Sequence, residues 1–166
     1  MSEEYDEISL DLIRKAKARA LKILEYADRT ERQLRDKLKE GDFPPFAVDE
    51  AVAYVQGLHY QDDRRFAESY IRSRRDQKSR YEISNELRLK GIDSALADEV
   101  LDEAELMGED TVCRLFLKKY GTKDLTDPSI YQKAFRYFAG KGFSYEEIKE
   151  GITNGIEKSQ DEETDT

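Results

Sequence analysis

The sequence predicts an all-α fold, an elongated array of three tandem three-helix repeats with helix-turn-helix character. Three observations predict it. Segments with apolar residues at helical spacing are separated by cap and stop signals, and the pattern of one segment returns about 50 residues later. Composition agrees, because 38% hydrophobic against 39% charged residues is poor for one large core and suits thin modules that each bury a narrow stripe.

The middle stretch, Leu58 to Ile92, anchors the repeat. At about 100° per residue, Phe66, Ala67, Tyr70, Ile71 and Arg74 share one side of a helix, and Arg65 and Arg72 lie opposite with Arg75 nearby. A second helix opens at Ser79, whose spacing to Glu82 is that of a capping box, carries Ile83 and Leu87, and stops at Gly91. The first unit begins with a helix over about Ser9 to Ala27. Thr30 with Gln33 then caps a helix whose Leu34 and Leu38 match Ile83 and Leu87 at an offset of 49. VDEAV, from Val48, falls on ADEVL, from Ala97, so each unit gains a third helix. Asp42 stands where Gly91 does, which predicts a differently built helix end using Gly41, followed by extended backbone at Pro44-Pro45. In the third copy Phe138, Gly142 and Phe143 match Leu87, Gly91 and Ile92 at an offset of 51. Its helices are expected at about Asp110 to Tyr120, after Asp127-Pro128 as N-cap and N1, and after Ser144 with Glu147. The boundaries read as an acidic arm 1–8, repeats at 9–60, 61–107 and 108–156, and an acidic disordered tail 157–166.

The net charge of −9 belongs to the ends: residues 1–11 and 157–166 carry it, and 12–156 balance. Within the body, 64–90 hold nine Arg and Lys against four acids, whereas 97–110 hold seven acids and no base. Such an arrangement steers a polyanion or an acidic partner to one region. The binding candidates are Arg65, Arg72, Arg75, Lys78, Arg80, Arg88 and Lys90, weighed against a plain solvated helix face; Arg74 points toward the packing side.

Other chemistry is poorly supported. Adjacent Asp62 and Asp63 point about 100° apart and are most simply helix caps. His59, the one histidine, is expected to be partly buried, and Cys113 to be a buried thiol in an apolar stripe. Phe66 and Tyr70 read as core, while Tyr60 and Tyr81 fit either packing or base stacking. No apolar run approaches the roughly 20 residues that span a bilayer, so no membrane partner and a cytoplasmic location are expected; no motif calls for a cofactor, and none is expected.

Three stretches resemble the RecX family, bacterial regulators of the RecA recombinase: LHYQDDRRFAESYI (58–71), ISNELRLKGI (83–92) and ALKILEYADRTERQLRDKL (20–38). The matching positions are Tyr60, Asp62, Asp63, Arg65, Phe66, Ala67, Lys90, Gly91 and Ile92, and Ser79 departs from a glycine found in many relatives. The resemblance implies a non-enzymatic, monomeric regulator that binds the RecA filament on DNA and restrains homologous recombination, reaching DNA through the filament. The alternative is an independent DNA-binding helical module.

Overall fold

The computed structural model describes residues 6–165. Among these, nine helices and no strands are found: α1 (Glu7–Tyr26), α2 (Glu31–Glu40), α3 (Pro45–Gly57), α4 (Asp63–Arg74), α5 (Arg80–Leu89), α6 (Ser94–Glu103), α7 (Gly108–Tyr120), α8 (Pro128–Gly140) and α9 (Tyr145–Thr164). The described residues form two compact units, one of residues 6–69 with 87–97 and the other of residues 70–86 with 98–165, so the middle repeat is divided between them.

In the first unit, α1 packs on α3 because both present small side chains at helical spacing. Ala16 and Ala20 on α1, and Ala47 and Ala51 on α3, are fully buried and let the backbones approach. Leu34 and Leu38, the α2 stripe, fill the space beside them. The expected capping box is present, with Thr30 Oγ1 accepting from Gln33 N and Gln33 Oε1 accepting from Thr30 N. Pro44 is extended and Pro45 opens α3, where a missing N–H costs no hydrogen bond.

The end of α2 corrects one expectation. Asp42 itself takes the left-handed conformation, φ 61°, and Gly41 does not, with φ −80°. Phe43 N then donates to Leu38 O, as Ile92 N donates to Leu87 O and Phe143 N to Phe138 O. All three repeats therefore close their second helix with one left-handed residue, Asp42, Gly91 or Gly142.

In the second unit α7 lies against α9 around Val112, Phe116, Phe138, Ile148 and Ile152. Asp127 caps α8 with Pro128 in its first turn, and Ser144 with Glu147 forms the capping box of α9. Cys113 is buried and free.

Two terminal expectations change. Asp6 caps α1 by accepting from Ser9 N, so the helix begins at Glu7, inside the expected arm; the rest of that arm, residues 1–5, lies outside the described residues. At the other end α9 runs to Thr164 where a disordered tail was expected from residue 157. Ile156 is packed on the core, and the Glu, Lys and Gln residues that follow are good helix formers, so the helix propagates past its last anchor.

Candidate functional site

The element Tyr60 to Ala67 is built on its two aspartates. Asp62 Oδ1 accepts from Arg65 N at 3.1 Å, the expected cap of α4. Asp63 does something the sequence reading missed: its carboxylate accepts from Glu31 N at 2.8 Å and Gln61 Nε2 at 2.9 Å, so it caps α2, a helix of the preceding repeat. Gln61 is buried and also reaches Arg29 O and Gln56 Nε2, which fastens the segment between α3 and α4 to the start of α2. Among the described residues no group of three His, Cys, Asp or Glu converges as a metal site.

Arg65 is held by its own backbone neighbourhood. Its guanidinium donates to His59 O at 2.6 Å and Tyr60 O at 2.8 Å and lies 3.8 Å from Asp28. Two planar donors on two successive carbonyls pin a segment in which His59 has φ 59°. His59 is exposed, not partly buried as expected, because the turn it forms faces outward. Tyr60 is also exposed and lines a pocket of about 430 Å³ with Leu21, Leu24, Asp28 and Arg65. Phe66 is half-buried and Ala67 fully buried.

Lys90, Gly91 and Ile92 form a joint within the same unit. Thr30 Oγ1, while accepting from Gln33 N, donates to Lys90 O at 2.5 Å. Arg32 Nη2 donates to Leu89 O at 2.6 Å, and its side chain lies where a Cβ on Gly91 would stand. The second unit repeats the joint: Ser79 Oγ donates to Lys141 O at 2.5 Å, and Tyr81 covers Gly142. The Lys-Gly-apolar element thus accepts the N-cap hydroxyl of the preceding repeat's middle helix. Ile92 is buried, Lys90 half-buried and Arg88 exposed.

The remaining predicted cations belong to the second unit and differ in their commitments. Arg80 pairs with Asp102 at 2.7 Å, and Arg75 donates to Ala104 O at 3.4 Å. Tyr70 O–H and Lys78 Nζ both donate to Glu86, with Arg74 stacked over the Tyr70 ring. Arg72 is exposed, and its guanidinium has no ion-pair partner among the described residues. The acidic stretch at 97–110 therefore supplies the carboxylate partner of Arg80 and removes that charge from the predicted binding set, whereas Arg75 meets only a backbone carbonyl there.

The Tyr70–Glu86–Lys78 cluster has a pH signature. Burial pushes the Glu86 carboxyl up, but hydrogen bonds from Lys78 and Tyr70 outweigh it and hold the group below the usual range. The Glu86 hydrogen bond raises the Lys78 ammonium. A depressed carboxylate contributes stability that is present above its unfolded range and lost as pH falls through the folded value. The Glu86→Gln variant is expected to be about 1–2 kcal/mol less stable than wild type above about pH 5, with the difference shrinking in acid. The raised Lys78 adds a term that persists up to its unfolded range and fades as pH rises through the folded value. Urea unfolding at a series of pH values checks both limbs.

Known proteins place this architecture. Three family models match in tandem: the RecX first three-helix domain over residues 16–54, the second over 62–101 and the third over 108–152. The chain belongs to the RecX family. It is 32% identical over 141 residues to the regulatory protein RecX of Clostridium acetobutylicum, covering 81% of this chain and 66% of that protein. It is 34% identical over 133 residues to the regulatory protein RecX of Haemophilus influenzae, covering 78% of this chain and 88% of that one. The crystal structure of RecX from Lactobacillus salivarius matches with a TM-score of 0.75 at 27% identity, over 89% of this chain and 98% of that chain. A second crystal structure of a regulatory protein RecX matches with a TM-score of 0.71 at 32% identity, over 88% and 78%. The relatives are named as regulators, and among the described residues of this RecX chain no helix is long and apolar enough to cross a membrane.

Proposed function

We propose that this RecX-family protein binds the RecA filament on DNA and restrains homologous recombination, as a cytoplasmic monomer that breaks no bond itself. The observation that carries the reading is the run of three RecX three-helix domains along one chain. Weak contacts on linked domains reinforce one another through effective concentration, so a filament, which repeats its own surface, is a fitting partner. Arg72 is the cation best placed to reach it, since it is exposed and has no ion-pair partner among the described residues; Arg75 follows, with only a long bond to a carbonyl to give up. Reversing both charges is expected to raise the amount of protein needed for half-inhibition of recombinase strand exchange by about tenfold, with helix content by circular dichroism unchanged. Unaltered inhibition removes these two residues from the contact.

A second reading, direct binding of DNA without a recombinase, is favoured by the helical repeats and their cations. Duplex affinity measured against salt without recombinase, read beside strand-exchange inhibition by the same variants, separates the two: each neutralised duplex phosphate contributes a slope of about −0.9, and a variant that loses this binding yet inhibits normally excludes the second reading.

A further inference from the structure

One cluster of positive charge in the first unit lies outside the stretch where the sequence concentrates it. Arg19, Lys22 and Tyr26 follow one another at i, i+3 and i+7 on α1 and so share a face. Arg29, just past the helix end, and Lys37, on α2, complete with Ile23 the lining of a pocket of about 280 Å³. No acid lines it, and none of the four cations has an ion-pair partner among the described residues. The Arg29 Nε is buried without a hydrogen-bond acceptor. Beside these cations stands Tyr26, 87% exposed, an aromatic ring that the fold leaves uncovered.

We propose that this pocket binds single-stranded nucleic acid, with Arg19, Lys22, Arg29 and Lys37 on the phosphodiester backbone and Tyr26 stacked on a base. The combination decides between polyanions. An acidic peptide would satisfy the cations but offers Tyr26 no π-face, and in a duplex the bases are already stacked on each other. The proposal deepens the second reading above, nucleic-acid binding without a recombinase, and rests on it, while the filament reading does not depend on it.

Fluorescence anisotropy with labelled oligothymidylate, no recombinase present, tests it on the full chain. Wild type is expected to bind with a steep salt dependence. Tyr26→Ala is expected to lose about fivefold or more in affinity. Arg19→Gln with Lys22→Gln is expected to flatten the log–log salt slope by about 1.4, from two contacts at about 0.7 each. All three side chains are exposed, so helix content should hold. Absence of wild-type binding, undiminished affinity in Tyr26→Ala, or equal competition by oligoglutamate would each overturn the proposal. So would loss of binding on charge reversal at Arg72 with Tyr26→Ala unaffected, which would return nucleic-acid contact to the second unit. Strand-exchange inhibition is scored separately, so failure here leaves the filament reading standing.

Discussion

Replacing Gly151 by leucine is expected to destabilise the second unit by about 3 kcal/mol or more, the largest effect of any single change considered. A Cβ at this position would stand 2.5 Å from Val112 Cβ and 2.7 Å from the carbonyl oxygen of Glu109, both on α7. Neither atom is the end of a flexible side chain, so α7 and α9 must separate. Separation would open the packing of Phe116, Ile148 and Ile152, which are fully buried. Overpacking usually costs about 1–3 kcal/mol when side chains can adjust, and here the backbone has to. Even Gly151→Ala should destabilise, although alanine is by itself the better helix former by about 1 kcal/mol. Gly140→Ala is the control: nothing lies within 4 Å of its added carbon, and it should be neutral or stabilising. Thermal and urea unfolding of the three variants give the ranking.

The second large effect belongs to the joint between repeats. Gly91→Ala is expected to cost about 2–4 kcal/mol. Part of that is conformational, because φ is +98° and a side chain in left-handed backbone costs about 1–2 kcal/mol. The rest is contact, since the added carbon would stand 2.6 Å from Arg32 Cβ. Relieving the clash by moving Arg32 would loosen its bond to Leu89 O and the adjacent Thr30 bond to Lys90 O. Asp42→Gly is the informative opposite. Asp42 occupies the equivalent left-handed position in the first repeat, so glycine should relieve strain there while adding unfolded-state freedom. The change should stay within about 0.5 kcal/mol of wild type. A cost for Asp42→Gly matching that of Gly91→Ala would mean the two helix ends are not built alike.

How much of this could be read from residues alone depends on the range of each interaction. The caps at Thr30, Ser79, Asp127 and Ser144 join groups two or three residues apart, and each is where local spacing puts it. The buried stripes, such as Leu34 with Leu38 and Ile83 with Leu87, follow equally from helical period. The candidate site was less legible. Arg65, Arg75, Lys78 and Arg80 were grouped as binding charge, but which of them stays free depends on carbonyls and carboxylates elsewhere, among them Tyr60 O, Ala104 O, Glu86 and Asp102. The pocket around Tyr26 was missed because Lys37 joins it from another helix; the i, i+3, i+7 run of Arg19, Lys22 and Tyr26 was the available signal.

By itself, then, the sequence determined that this protein is a threefold series of helical modules, which residues cap the helices that open at Thr30, Ser79, Asp127 and Ser144, and which family it resembles. Those properties are encoded in periodicity and in hydrogen bonds closed within one turn. Tertiary structure alone decided that Asp63 caps a helix starting 32 residues earlier, that Thr30 and Ser79 each bind a carbonyl about 60 residues onward, and that Arg19, Lys22, Arg29 and Lys37 gather around Tyr26. The physical reason is that a side chain's partner is fixed by which chain segments pack together, and a carboxylate or hydroxyl has the same local signature whichever helix end it serves.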